Sequence, residues 1–139
     1  MNQALYEQIK SKKKLAALVD EKGNILWETS QSPVAALYHD YFQGKFKTLP
    51  PVTLYAYQAG LAMAILTEQI KITACHAFRM STCGRKVFKR NQIDFLFAEE
   101  IPLVKSSKDE SRVCPIELFL YDHPDEKEQW EFLKERFSK

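Results

Sequence analysis

The apolar residues of this chain recur at two different spacings, and the points where one spacing gives way to the other divide the sequence into helices and strands. Residues 2–12 carry Leu5 and Ile9 at helical separation and end in a basic run of Lys10, Lys12, Lys13 and Lys14. Leu15-Ala16-Ala17-Leu18-Val19 and Ile25-Leu26-Trp27-Glu28-Thr29 then read as two strands, joined by the turn cluster Asp20-Glu21-Lys22-Gly23-Asn24. Together they predict an opening β-hairpin. Ser32-Pro33 is a helix start with proline in the first turn, and Val34, Leu37, Tyr38 and Tyr41 fall on one face of a helix that stops at Gly44.

After Leu49-Pro50-Pro51, the stretch from Thr53 to Gln69 is apolar on nearly all sides and rich in small residues, which predicts a central helix packed close against a sheet. Strands follow at 72–78 and 93–97, separated by a short helix at 81–91, and Ile101-Pro102-Leu103-Val104 reads as a final edge strand. Residues 105–112 form a charged loop, Cys114 to Tyr121 a helical turn, and Asp122-His123-Pro124 opens a last helix that carries Trp130, Leu133 and Phe137. Alternation of strands and helices with right-handed crossovers predicts an α/β sandwich with a mixed sheet.

The chain has 139 residues, which fit one domain spanning 1–139; 45% of them are hydrophobic, enough for one core. Net charge is +2 and the basic residues are scattered, so a continuous phosphate-binding face for nucleic acid is excluded. The longest apolar stretch, 59–66, is too short to cross a membrane, and Met1-Asn2-Gln3-Ala4 does not open a secretory leader. Three cysteines, Cys75, Cys83 and Cys114, make an odd set without close pairing, which suits a reducing compartment and a cytoplasmic location.

Two helix starts carry thiols. Val113-Cys114-Pro115-Ile116-Glu117 places Cys114 just before a first-turn proline, with Glu117 one turn in. The unpaired amides of a helix start and Arg112 nearby favour a thiolate, which makes Cys114 a candidate nucleophile. The bland alternative is a small buried residue, with Glu117 returning to the backbone as in a capping box. Ser81-Thr82-Cys83-Gly84-Arg85 is the second such turn, where successive amides and Arg85 could receive a phosphate or carboxylate beyond a strand's carboxyl end. The candidate ligand-binding set is therefore Ser81, Thr82, Cys83, Gly84, Arg85, Arg112 and Glu117, for a small anionic molecule. His39, His76 and His123 have no ligand partner by spacing, and Cys75 and His76 point to opposite faces of a strand. Neither a metal site nor a cofactor is expected. Tyr38, Tyr41, Phe42, Tyr55 and Tyr57 cluster around Pro50-Pro51 and suggest a surface for self-association into a homo-oligomer.

On these residues the chain resembles the cytidine deaminase-like fold, and within it a small prokaryotic family of uncharacterised proteins with a Cys-Pro-Met-Glu segment before the last helices. Cys114-Pro115-Ile116-Glu117 matches three of those four positions, and the order of elements from about 13 to 137 looks similar. The resemblance implies a three-layer α/β/α sandwich with a mixed sheet, an opening hairpin and a C-terminal helix, and no zinc centre. Zinc-dependent deamination needs a His or Cys beside a Glu at one helix start and a Cys pair at the next. Tyr55-Ala56-Tyr57-Gln58-Ala59 offers no ligand for the first position, and Ser81-Thr82-Cys83-Gly84-Arg85-Lys86 keeps only Cys83 of the second. The expectation is a deaminase-like domain without zinc catalysis that binds a small anion or a protein partner; the alternative is a thiol enzyme using Cys114.

Overall fold

The alternating apolar pattern builds one sheet. In the computed structural model, which describes residues 1–139, β1 (Ala16–Asp20) and β2 (Ile25–Thr29) form the expected hairpin behind α1 (Gln3–Lys10). They are followed by α2 (Pro33–Phe42), β3 (Val52–Ala59), α3 (Leu61–Leu66), β4 (Ile72–Ser81), α4 (Thr82–Arg90), β5 (Asp94–Ile101), α5 (Pro115–Asp122) and α6 (Glu126–Phe137). The strand order is β2-β1-β3-β4-β5. β1 runs antiparallel to β2 and β3, whereas β3, β4 and β5 are mutually parallel, so the mixed sheet of the sequence reading is present.

Two segments depart from expectation. The helix expected over 53–69 is instead strand β3 followed by the six-residue α3. Val52-Thr53-Leu54-Tyr55-Ala56-Tyr57 holds β-branched and aromatic side chains that fit a pleated surface better than a helix. This strand lies between β1 and β4 with both faces covered, so it shows no polar alternation and resembles a buried helix in sequence. The edge strand expected at 101–104 is also absent: Ile101 ends β5, and Pro102-Leu103-Val104 lies outside any strand.

The sheet divides the core in two. Leu18, Leu54, Ala56, Cys75, Ala77 and Met80 point to the side of α2 to α6 and join Leu37, Met63, Leu66, Phe88, Leu120 and Leu133. Ala17, Val19, Tyr55 and Tyr57 point the other way, against Leu5 and Ile9 of α1. The aromatics that suggested one surface are separated by this division. Tyr38, Tyr41 and Phe42 lie in contact with Trp130 of α6, and Tyr38 also stacks on Phe137. Tyr55, by contrast, is fixed beneath α1, where its hydroxyl accepts from the Asn2 amide at 2.8 Å.

Candidate functional site

β3, β4 and β5 are parallel, so their carboxyl ends, and the starts of α3 and α4, meet on one edge of the sheet. Glu117, only 3% exposed, reaches into this junction from α5. One carboxylate oxygen accepts from the Leu61 amide at 2.6 Å and the other from the Val104 amide at 2.7 Å. It therefore braces another helix and a loop rather than closing a capping box on its own helix. Gly60 makes room for it: a Cβ there would sit 2.3 Å from Glu117 Oε1 and 2.5 Å from Val104 Cγ2. Gly84 lies against Gly60 in turn, where a Cβ would come within 2.6 Å of the Gly60 Cα.

The Ser81 to Arg85 turn is satisfied from within the chain. Ser81 Oγ accepts from the Gly84 amide at 3.1 Å. Thr82 donates to Glu100 at 2.8 Å, and Arg85 Nε donates to the other oxygen of the same carboxylate at 3.1 Å. Glu100 thus occupies the place next to Arg85 where an anion was expected. The Cys83 thiol is half-buried, and burial, followed by the charge of Glu117, raises its pKa. Burial pushes the fully enclosed Cys75 thiol up further still.

Cys114 lies elsewhere. It precedes Pro115 at the start of α5, its amide donating to the Val104 carbonyl at 2.8 Å, and it lines a cavity of about 280 Å³. The cavity is also walled by Ser32 and Pro33 at the start of α2, the loop 104–108, and Arg136 with Phe137 of α6. Lys105, Lys108 and Arg136 line it, and no carboxylate does. Gln58 holds the loop in place, donating to the Lys105 carbonyl at 3.1 Å and accepting from the Lys105 amide at 3.0 Å. Neither helix start is capped by its own side chain, since the Ser32 hydroxyl is paired with that of Ser107 at 2.9 Å.

The structure brings Cys114 to this cavity together with residues that spacing did not suggest: Ser32, Gln58, Lys105, Lys108 and Arg136. Cys83 is not among its walls, and Arg112 lies exposed on the neighbouring loop, outside the lining. Glu117 lines a small adjoining pocket with Gly60 and Cys114. Nearby, Glu110 pairs with Arg79 at 2.7 Å and with Lys12, beside the Tyr57 ring. No three His, Cys, Asp or Glu side chains converge where they could hold a metal ion. Tyr57-Gln58, where a hydrolytic ligand was sought on a helix, belongs to β3. No helix is long and apolar enough to cross a membrane.

A family model described as a domain of unknown function, DUF1893, matches residues 6–137. The chain is also similar to the crystal structure of a DUF1893 family protein from Thermotoga maritima, with a TM-score of 0.76 at 20% identity, over 97% of this chain and 88% of that one. At that identity the likeness bears on the fold alone. No curated protein matches the chain.

Proposed function

The chain belongs to the DUF1893 family, and we propose that it is a single cytoplasmic domain on a cytidine deaminase-like scaffold, without a zinc centre, that binds a small anionic ligand in the Cys114 cavity. The layering supports the scaffold: α1 lies on one face of a five-stranded mixed sheet, the remaining helices on the other, behind an opening hairpin. The helix starts that follow β3 and β4, Gly60-Leu61-Ala62 and Ser81-Thr82-Cys83, present one thiol between them as a metal donor, and Cys114 at the start of α5 lines a cavity that Cys83 does not. A catalytic zinc needs three protein ligands, so this donor set does not fit it. The carboxylates at these helix starts are both engaged, Glu117 by the Leu61 and Val104 amides and Glu100 by Thr82 and Arg85. No step through a metal follows from this arrangement.

The observation that carries the anion reading is a cavity with three cationic side chains, two helix starts without side-chain caps and no carboxylate in its wall. Free amides and the positive end of a helix dipole favour negative charge, and a concave wall concentrates the field of Lys105, Lys108 and Arg136. Glu117 braces this wall through the Val104 amide, with Gly84 packed on Gly60 behind it; Ser81, Thr82, Cys83 and Arg85 lie outside the cavity, and Arg112 stands on the loop beside it. Thermal-shift titration with inorganic phosphate, sulfate and nucleoside mono- and diphosphates tests the reading. Stabilisation that is lost at high salt and in Arg136→Gln is the expected result; no stabilisation by any of these anions removes the proposal.

A second reading rests on the access of Cys114 to the same cavity: the thiol is a nucleophile for acyl or alkyl transfer. Site-resolved iodoacetamide labelling across pH decides it. A nucleophile labels in the folded protein, and faster than Cys83. A Cys114 that labels only after unfolding is structural.

A further inference from the structure

The cavity beside Cys114 changes character along its depth. Its mouth is polar and open, with Ser107, Lys108 and Arg136 all exposed. Lys105, Lys108 and Arg136 make no ion pair within the chain, and the Arg136 guanidinium lies over the Phe137 ring at 5.8 Å. Their charge is therefore uncompensated, unlike that of Arg85, which Glu100 holds. Behind the mouth the wall turns apolar, with Val34, Val104, Ile116 and Phe137. Val34, Val104, Cys114 and Ile116 also line a recess of about 20 Å³ that continues inward to Gly60, Ala62 and Glu117, all three buried. The inner end thus holds one carboxylate and no cation.

We infer that the ligand of this cavity is an organic acid charged at one end only, an alkyl or aryl carboxylate or phosphate ester, which rests on the anion reading of the same cavity. Its acid group lies among Lys105, Lys108 and Arg136, and its apolar body runs inward along Val34, Ile116 and Phe137. Charge decides the orientation. An acid group turned inward would exchange three cations for an apolar wall and the Glu117 carboxylate, and an unpaired charge taken out of water is costly. The same carboxylate repels a second acid group at the far end of the ligand. The apolar body supplies what an inorganic anion lacks, since each methylene moved from water onto this wall strengthens binding about fourfold. Volume bounds its length. A cavity of about 280 Å³ equals about nine waters of the liquid, room for one ring or a chain of about six carbons with its acid group.

Calorimetric titration of the full chain with a graded set of acids tests this: inorganic phosphate, acetate, butanoate, hexanoate and hexyl phosphate, with adipate and hexan-1-ol as controls. Affinity is expected to rise about tenfold at each step from acetate to butanoate to hexanoate, two methylenes apiece. Adipate, as long as hexanoate but acidic at both ends, should bind about tenfold more weakly or worse. Arg136→Gln weakens every acid alike. Ile116→Asn flattens the chain-length series and leaves inorganic phosphate bound as before, which also reports that the variant is folded. Hexanoate and hexyl phosphate both belong to the expected class, and the tighter of the two names the acid group that the mouth takes. Inorganic phosphate that binds with no gain along the series, or adipate that binds as well as hexanoate, overturns the one-ended acid and leaves the anion site standing. Hexan-1-ol bound as tightly as hexanoate, or no binding by any member of the set, overturns both.

Discussion

Glu117 shows what a single side chain can be recruited to do. As the third residue of a proline-started helix it has the position of a capping-box acid, yet it passes its own helix by and spends both oxygens on amides 56 and 13 positions away. Local spacing reveals the helix start at Cys114-Pro115 but not the partners, because they are set by the meeting of β3, α3 and the loop at Val104. Glu117→Ala leaves two buried amides without acceptors and is expected to cost about 3 kcal/mol in urea unfolding. Gly60→Ala forces a methyl group into the same carboxylate and should lose about 2 kcal/mol by overpacking. The thiols report their surroundings independently. Cys75, fully enclosed, stays unlabelled by iodoacetamide in the folded protein at neutral pH and labels once urea unfolds it.

Among the elements, those with one wet face were legible and the one with none was not. α1, the hairpin, α2, β4, α4 and the last helix each display a period, a turn cluster or a capping residue near where the structure places them. β3 displays none, since Leu54 and Ala56 enter one core and Tyr55 and Tyr57 the other. Only its β-branched and aromatic content pointed to a strand. The cavity residues were hidden for a related reason: Gln58 sits at the end of that misread strand, and Arg136 belongs to a helix read for its apolar face alone. α6 holds the aromatic layer through Leu133, which is fully buried, and Leu133→Ala should cost about 2–5 kcal/mol in equilibrium unfolding. β4 carries a pH dependence. Burial, with a smaller contribution from the amino terminus, lowers the His76 imidazole below its ordinary 6.5, and its Nδ1 is buried without a partner. As pH falls below about 6.5 the unfolded chain takes up this proton before the folded one does, so stability declines across that interval. The urea midpoint should fall between about pH 7.5 and about pH 5.5, and less steeply in His76→Phe.

Across the whole molecule, the sheet separates two cores of unequal size. The α1 side is closed by a single eight-residue helix anchored through Asn2 and Tyr55, while five helices close the other. Amide exchange is therefore expected to be faster in α1 than in β3 or β4, as measured by hydrogen-exchange mass spectrometry. The last helix meets α2 within the larger core, where Trp130 and Phe137 close over Tyr38. The carboxylate at 117 also imposes a schedule on synthesis. The amide of Leu61 waits for an acceptor that leaves the ribosome dozens of residues later, so a nascent chain arrested before α5 holds the β3–α3 corner open to protease, and closure comes only as α5 and α6 emerge.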